Sequence, residues 1–374
     1  VIFTGHTHKQ YAWDAPVPGT DRTRPVLQTG SYGENIGRVD LTYDTESDTV
    51  TAYSQRNVAR TTTPGAELIA SYPRVAEVDR ITEAALAEAK VKGSVPVGSV
   101  TADITTAFAG GSFVDGTYQG GTRDDRGSES TLGNLVADSL VDSLSDPDRG
   151  GATIGVVNPG GLRAELLRGD DGVITYAEAN AVLPFVNNLW TTTLTGAQFK
   201  EMLEQQWQLN ADGTVPSRAY LQLGISSNVS YTFDPALPQG QHITSITIDG
   251  VPYDPQGEYR IGTFSFLAQG GDNFRAFNDG TDTRDSGLID RDAWIEYIQE
   301  NSPLSPDFAR HSVAAPALGT VEAGDEVSFT IGASPLQNPE GSRGSLDLTS
   351  LGSPENTEVT VSLGDQELGT FPVT

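Results

Sequence analysis

Apolar and polar residues alternate near the start of the chain. The stretch 26–43 holds two segments of this kind separated by glycines, and in the second of them Val39 and Leu41 alternate with polar neighbours. A period of two places successive side chains on opposite faces of a β-strand. Residues 1–60 are therefore predicted to be strands and loops, within a first domain that extends to residue 70.

A helical spacing replaces this alternation over residues 72–92. Its apolar positions share one face of a helix: Val75, Val78, Ile81, Ala85 and Ala89. Gly93 and Pro96 then stop the pattern. A single helix between two differently patterned regions is typical of a connection between domains, so residues 71–96 are predicted to be a linker helix.

Strands and helices alternate from residue 97 to residue 303. The apolar strand 154–157 runs into a glycine-rich turn, an apolar stripe predicts a helix over 132–144, and another helix is predicted from Asp290 onward. Two capping boxes mark further helix starts: Thr175 with Glu178, and Thr195 with Gln198. Residues 97–303 are predicted to be an α/β or α+β domain.

The pattern changes again beyond residue 303. Two segments alternate between apolar and polar residues, with glycine-rich and proline-rich turns between them: Val327, Phe329 and Ile331, and then Val359, Val361 and Leu363. No helical stripe accompanies them, which favours antiparallel sheets. Residues 312–374 are predicted to be a small β-sandwich, with an immunoglobulin-like fold as one such architecture.

Composition excludes several classes of function. The 374 residues have a formal net charge of −27, with 50 acidic and 23 basic side chains, and most of the basic ones are arginine. So negative a surface repels phosphate backbones, which excludes nucleic-acid polymers as partners but leaves a small phosphorylated ligand open. No apolar stretch is long enough to span a membrane. The absence of cysteine excludes disulfides, thiolate catalysis and cysteine-type zinc sites.

His6 and His8 form the first candidate site. They lie in the segment Gly5-His6-Thr7-His8, directly after a short apolar strand. Two neutral imidazoles two residues apart can project from a tight turn toward a metal such as zinc, manganese or iron. The alternative is a pair of exposed loop histidines. Because the chain has only four histidines, their proximity favours the metal interpretation.

The second candidate is the turn after the strand 154–157. Its sequence is Asn158-Pro159-Gly160-Gly161-Leu162-Arg163. Strand ends are common ligand sites in α/β domains, glycines let the backbone approach a ligand closely, and Arg163 could bind phosphate through its guanidinium fork. The alternative is a glycine-rich turn followed by a surface arginine.

Three further segments carry aromatic or charged candidates. Phe266 is followed six positions later by Asp272, so one loop could stack a base and bind two ribose hydroxyls through one carboxylate. Phe185 follows a proline, and Arg126 precedes a helix whose amino terminus favours anions. Taken singly, each has a structural alternative: the phenylalanines as core residues, Asp272 as a turn residue, and Arg126 as a solvated side chain.

Together these segments resemble the 5'-nucleotidase family, which includes bacterial UDP-sugar hydrolases and 2',3'-cyclic-nucleotide phosphodiesterases. Five motifs occur in the family's order: GHTH at 5–8, RGSESTLGNL at 126–135, NPGGLR at 158–163, ITYAEANAVLPF at 174–185 and FLAQGGDNF at 266–274. The resemblance implies an α/β (α+β) nucleotide-binding domain of the family's C-terminal type. A remnant of a metallophosphoesterase domain would precede it, and the small β-sandwich would follow it.

The same resemblance implies the residues that bind a nucleotide or nucleoside. These are Phe185 and Phe266 on the two faces of the base, Asn158 at the base edge, Asp272 on the ribose hydroxyls, and Arg126 and Arg163 on phosphate, with Gly160 and Gly161 allowing close approach.

The resemblance further implies two divalent metals, zinc, manganese or similar, in the parent enzyme. His6 and His8 would be metal ligands, and the family's other metal motifs would precede Val1, in an N-terminal metal domain missing from this chain. No catalytic residue is assigned here, and the chain alone is expected to be inactive. We expect an extracellular or cell-wall-associated enzyme portion that acts on nucleotides. The alternative is a non-catalytic cell-surface module for nucleoside binding or adhesion.

Overall fold

The structure is a computed structural model that describes residues 1–316, 322, 326, 328–332, 345–363 and 366–373. The chain divides into two compact units, Val1–Ala87 and Glu88–Thr374. Among the helices in these ranges, none has the length and apolar character that crossing a membrane requires.

The first unit contains two small sheets. Its strands are β1 Ile2–Phe3, β2 Gln10–Pro16, β3 Thr23–Thr29, β4 Asn35–Asp44 and β5 Thr49–Ala59, and they are followed by helix α1, Gly65–Ser71. Strand β3 pairs in parallel with β1 and antiparallel with β2, while β4 and β5 form a hairpin. The two strands predicted within 26–43 are therefore present, as β3 and β4.

The helix predicted over 72–92 is present as α2, Pro73–Gly93, and the boundary between the two units falls within it. Its apolar stripe is not buried, because Val78 and Ile81 are 59% and 54% exposed. The helical spacing thus predicted the backbone conformation correctly but not the burial of one face. The role of α2 as a linker stays a prediction.

The second unit holds the remaining elements. Its strands are β6 Pro96–Ser99, β7 Phe108–Ala109, β8 Ser112–Val114, β9 Thr117–Gln119, β10 Thr122–Arg123, β11 Ile154–Val157, β12 Val173–Thr175, β13 Asn188–Thr195, β14 Gly224–Ile225, β15 Val229–Phe233, β16 Ile243–Ile248, β17 Val251–Pro252, β18 Glu258–Phe264, β19 Thr281–Ile289, β20 Ser312–Ala314, β21 Glu358–Leu363 and β22 Gln366–Pro372. Its helices are α3 Thr131–Leu144, α4 Tyr176–Val182, α5 Gly196–Glu204, α6 Ser265–Ala268 and α7 Asp290–Asn301. Short 3-10 helices occupy Pro147–Arg149, Pro159–Gly161, Gly271–Asn273 and Arg275–Asp279.

A five-stranded mixed sheet in the order β14-β11-β18-β13-β19 lies at the centre of this unit. Strands β11 and β18 are parallel, and the other neighbours are antiparallel. Residues of α3 and α7 form one hydrophobic core with Val157 and Phe264, and residues of α5 form another with Ile154 and Ile261. Helices on both faces of a mixed sheet confirm the predicted α/β class.

Helix α3 packs directly on the backbone of the sheet because glycine occupies the contact. A Cβ added at Gly155 of β11 would lie 1.9 Å from the carbonyl oxygen of Ala137 in α3. No side chain fits in that space. The two predicted capping boxes also form, Thr175 with Glu178 at the start of α4 and Thr195 with Gln198 at the start of α5.

Residues 312–374, which are predicted to be a β-sandwich, contain three strands among the described residues. Strand β20 pairs in parallel with β15, and β21 and β22 form an antiparallel hairpin. Residues 328–332 are not in a strand, although Phe329 and Ile331 alternate with polar residues, and Val327 lies outside the described residues. The sandwich stays a prediction.

Candidate functional site

Three of the predicted site segments meet at one edge of the central sheet. Strands β11 and β18 are parallel neighbours, so their carboxyl ends lie at the same edge. Strand β13 runs antiparallel to β18, with Leu189 opposite Phe264, so the loop before β13 reaches this edge as well. Residues 158–163 follow β11, residues 266–272 follow β18, and Phe185 precedes β13. Sheet topology alone therefore gathers segments that are far apart in the sequence.

Asn158 and Asp272 are hydrogen-bonded across 114 positions of sequence. Asn158 Nδ2 donates to Asp272 Oδ2 at 2.7 Å. Asn158 is only 4% exposed, and its Oδ1 is buried without a hydrogen-bond partner among the residues described. Because a carboxylate only accepts, the amide nitrogen must face Asp272, and this leaves Oδ1 as an unused acceptor.

Gly160 is the point on which three predicted site residues converge. A Cβ at this position would lie 3.0 Å from Arg126 Nη1. It would lie 3.5 Å from Asn158 Nδ2 and from Asp272 Oδ2. A side chain at this position would crowd Arg126 Nη1, so glycine favours the close approach of these groups. We refer to Arg126, Asn158, Gly160 and Asp272 as the polar cluster.

Gly161, beside the polar cluster, also has little space for a side chain. A Cβ there would lie 3.2 Å from Asn158 Oδ1 and 3.0 Å from the ring of Phe264. Gly161 therefore lets the turn pass over the buried amide and the aromatic core beneath it.

The loops around the cluster hold non-glycine residues in the left-handed region of φ. The values are +50° at Asp272, +63° at Asn273, +58° at Val186 and +69° at Asp124. Asp and Asn tolerate this region, whereas a β-branched valine is strained in it. Strained backbone of this kind is common at functional sites, and here it lies beside Phe185.

Phe185 and Phe266 are both accessible to solvent. Phe185 is 55% exposed and Phe266 is 38% exposed, whereas the neighbouring Phe264 and Phe274 are buried in the core. A Cβ at Gly271 would lie 2.6 Å from the Phe266 ring, so this ring packs over a bare stretch of backbone. The exposed rings are the two predicted from the sequence, and the core alternative does not apply to them.

Arg163 contacts both Phe185 and the polar cluster. Its guanidinium carbon lies 5.5 Å from the centroid of the Phe185 ring, which is a cation–π contact. Its Nη1 donates to the carbonyl oxygen of Gly160 at 3.4 Å. Arg163 thus joins an exposed aromatic ring to the glycine turn.

Arg126 is engaged by a residue not predicted from the sequence. Its Nε donates to the two oxygens of Asp124 at 3.0 and 3.1 Å, and its Nη2 donates to Oδ2 at 2.9 Å. The position of Asp124 two residues before the arginine is the signal that could have identified the pair.

A buried polar network lies behind Arg126. The backbone nitrogen of Gln222 donates to the carbonyl oxygen of Arg126 at 2.8 Å, and Gln222 Nε2 donates to the hydroxyl of Tyr231 at 3.0 Å. Gln222 also donates to Ser312, whose hydroxyl donates to Glu129. Burial raises the pKa of Tyr231 to about 12, so its hydroxyl stays neutral.

The loop that carries Asp272 is tied down on its other side. Asn273 Nδ2 donates to Gln208 Oε1 at 3.1 Å, and Arg275 Nη2 donates to the carbonyl oxygen of Leu209 at 2.9 Å. These two bonds fix the backbone immediately after Asp272.

His6 and His8 lie in the first unit and are exposed. Their φ values are +68° and +57°, and the His8 ring contacts Tyr32 edge-on at 6.0 Å. Across the part of the chain that the structure describes, no three His, Cys, Asp or Glu side chains are grouped as metal ligands. Two imidazoles without a bridging carboxylate do not fit a two-metal centre.

Comparisons with known proteins agree with the sequence motifs. A family model for the 5'-nucleotidase C-terminal domain matches residues 96–279. Over 315 residues the chain is 27% identical to the trifunctional nucleotide phosphoesterase protein YfkN of Bacillus subtilis (strain 168), an alignment that covers 82% of this chain and 19% of that protein. Over 156 residues it is 35% identical to the protein UshA of Salmonella pullorum, covering 42% of this chain and 26% of that protein.

One solved structure with a similar fold is that of a 5'-nucleotidase precursor from Thermus thermophilus. Its TM-score is 0.51 at 21% identity, with coverage of 84% of this chain and 57% of that one. The chain spans only 19% and 26% of the two curated relatives. Residues 96–279 include every predicted substrate-binding residue, from Arg126 to Asp272, whereas His6 and His8 lie outside that match.

Proposed function

We propose that this chain is the substrate-binding portion of a metal-dependent 5'-nucleotidase, because residues 96–279 match the family model for the 5'-nucleotidase C-terminal domain. The parent enzyme hydrolyses the phosphoester of nucleotides and releases nucleoside and phosphate. The observation that carries the proposal is the convergence of Arg126, Asn158 and Asp272 on Gly160, at the sheet edge that also bears two exposed phenylalanines.

The nucleoside is bound by aromatic and carboxylate groups. Phe185 and Phe266 take the two faces of the base, and stacking of this kind contributes about 1–3 kcal/mol per base. Asp272 accepts hydrogen bonds from the ribose hydroxyls, and Asn158 bonds the base edge. The exposure of both rings and the contact between Asn158 and Asp272 support these roles.

The phosphate is bound by Arg126 and Arg163. Both guanidinium groups lie beside Gly160. Arg126 Nη1 is close to its α-carbon side, and Arg163 Nη1 donates a hydrogen bond to its carbonyl oxygen. Arginine suits this task because its planar fork can donate two parallel hydrogen bonds to phosphate oxygens.

The metals belong to the parent enzyme. Two divalent ions, zinc, manganese or similar, polarise the phosphoester in such an enzyme. Among the described residues, His6 and His8 are the candidate ligands for such ions, and no group of three or more potential ligands is present. We therefore propose that this chain alone does not hydrolyse nucleotides. We also propose an extracellular or cell-wall-associated location. Detecting the chain in the medium or the wall fraction of the source cells tests this location.

Adenosine binding measured by calorimetry tests the nucleoside site. Phe266→Ala is expected to weaken binding by about 1–3 kcal/mol, because one stacking face is lost. Phe371→Ala is the matched control, since Phe371 is likewise half exposed but lies in the terminal hairpin. Wild type that fails to bind adenosine would refute the proposed function, and equal affinity in Phe266→Ala would refute the stacking role.

A further inference from the structure

The guanidinium group of Arg126 already holds an anion, which is the carboxylate of Asp124. Three hydrogen bonds between 2.9 and 3.1 Å join the Nε and Nη2 edge of Arg126 to both oxygens of Asp124. This edge is one of the two-donor forks with which arginine binds phosphate. Nη1 takes no part in the pair and is the nitrogen that faces Gly160.

Asp124 is placed where it can exchange with an external anion. The side chains of Arg126 and Asp124 are 17% and 26% exposed, so the pair lies at the surface of the site. A phosphate that reaches the pair can take the place of the carboxylate, because its oxygens accept the same two parallel hydrogen bonds from the guanidinium edge. Asp124 also has φ of +69°, a left-handed conformation that aspartate tolerates without needing the arginine contact.

The neighbouring carboxylate is not available for the same task. Asp125 Oδ1 accepts from the backbone nitrogen of Gly127 at 3.0 Å, and Oδ2 accepts from the Ser128 hydroxyl at 2.7 Å. Asp125 therefore closes the turn before helix α3. Asp124, by contrast, directs both of its oxygens to Arg126.

We propose that Asp124 is a specificity-determining residue that competes internally with the ligand phosphate for Arg126. A nucleotide must displace this carboxylate to gain the Nε and Nη2 edge, or bind a guanidinium group whose charge the carboxylate already offsets, through Nη1 and the second N–H of Nη2. A nucleoside without phosphate meets no such competition. Asp124 therefore lowers the affinity for phosphate-bearing ligands relative to nucleosides. This inference rests on the proposed function, because it assumes that Arg126 meets the phosphate of a bound nucleotide.

The competing role for Asp124 is to orient Arg126, and the two roles have opposite consequences. If the carboxylate only positions the guanidinium group, its removal loosens Arg126 and weakens nucleotide binding. If the carboxylate competes, its removal frees the two-donor edge and strengthens nucleotide binding. The sign of the change in affinity therefore separates the roles.

The test compares AMP and adenosine binding to the full chain and its Asp124→Asn variant by calorimetry. Asparagine also tolerates positive φ, so the turn is expected to remain folded. We expect AMP to bind roughly three-fold or more tightly to the variant, and adenosine affinity to stay within about two-fold. In an Arg126→Ala background the Asp124→Asn change is expected to have no effect on AMP, because its target is gone.

Asp282→Asn is a matched control. Asp282 also has positive φ and pairs with an arginine two residues later, Arg284, with Nε to Oδ1 at 2.8 Å. It lies at the start of β19, at the opposite end of the sheet from the polar cluster. AMP affinity that falls or stays unchanged in Asp124→Asn, or rises equally in the control, overturns the inference and leaves the nucleoside site standing. Wild type that binds no adenosine overturns the inference together with the proposed function.

Discussion

The hydrogen bond between Asn158 and Asp272 fixes the chemistry of both side chains. It directs the amide nitrogen toward the carboxylate and leaves Asn158 Oδ1 as an acceptor. It also uses one lone pair on Asp272 Oδ2, so the remaining lone pairs of the carboxylate are available to hydroxyl donors of a ligand. The pair thus leaves acceptor lone pairs on Asp272, which suits a ligand with hydroxyl donors such as a ribose diol.

Asp272→Asn is expected to reduce the preference for ribose over a sugar without hydroxyls. Wild type should bind adenosine more tightly than 2',3'-dideoxyadenosine by about 1.5–3 kcal/mol, since hydrogen bonds to a charged acceptor are strong. The variant offers one amide oxygen in place of two carboxylate oxygens, so most of this difference should disappear. Titration calorimetry with both ligands measures it. Asp115→Asn, at an exposed turn residue with φ of +51°, is the control. Equal affinity of wild type for the two ligands would contradict the assignment.

At this scale the sequence identified most of the candidate residues but not their contacts. Asn158, Gly160 and Asp272 were predicted from motifs, and they do converge. The bond between Asn158 and Asp272 depends on the parallel pairing of β11 and β18, which no local pattern encodes. Asp124 was missed because an aspartate two residues from an arginine in sequence is usually part of a surface pair of little consequence.

Among the elements, those with strong local signals were predicted well. Helix α3, strand β11 and both capping boxes follow from spacing and from residues that satisfy helix ends locally. Burial was predicted less well: the apolar stripe of α2 is exposed, because spacing defines a face but not what covers it. Strand β20 illustrates a second limit, since its partner β15 is about eighty residues earlier and pairing at that distance has no local signature.

The tie between β20 and the start of α3 depends on Glu129. This carboxylate is fully buried and accepts hydrogen bonds from the backbone nitrogens of His311 and Ser312 and from the side chain of Asn134. Burial alone would raise the pKa of Glu129, but the charges of Arg310 and His311 and the donated hydrogen bonds outweigh it. The pKa therefore lies below its ordinary value.

Glu129→Gln is expected to lower the free energy of unfolding by about 3–5 kcal/mol at neutral pH, because Arg310 loses its buried partner. A depressed carboxyl pKa stabilises the fold above the ordinary value of 4.5, and this contribution is lost as pH falls through the lower folded value. The difference in free energy of unfolding between wild type and variant should therefore become smaller below about pH 4. Urea unfolding at pH 7 and pH 3.5 measures it, with the exposed Glu355→Gln as control. A gap that widens on acidification would contradict the ionised state assigned to Glu129.

At the scale of the whole molecule, the proposed nucleotide-binding groups and the two candidate metal-binding histidines belong to different units of the chain. The polar cluster and both exposed phenylalanines lie in Glu88–Thr374, whereas His6 and His8 lie in Val1–Ala87. A formal net charge of −27 also means that an anionic ligand is attracted only by local arginines, not by the surface at large. Under the proposed function, nucleotide binding therefore depends on residues of the second unit and not on His6 and His8.

Metal-dependent hydrolysis is accordingly expected to be absent while binding is retained. With AMP and added Mn²⁺ or Zn²⁺, the purified chain should release no more phosphate than its His6→Ala, His8→Ala double variant. Two imidazoles without a grouped third ligand cannot hold two cations at the spacing of about 3.5–4 Å that in-line displacement needs. Adenosine affinity should be the same with and without a chelator, because the polar cluster contains no metal-ligand group of three or more in the residues described. An active 5'-nucleotidase under the same conditions provides the positive control. Phosphate release that a chelator abolishes would show that the chain assembles a working metal centre and would refute the proposed inactivity.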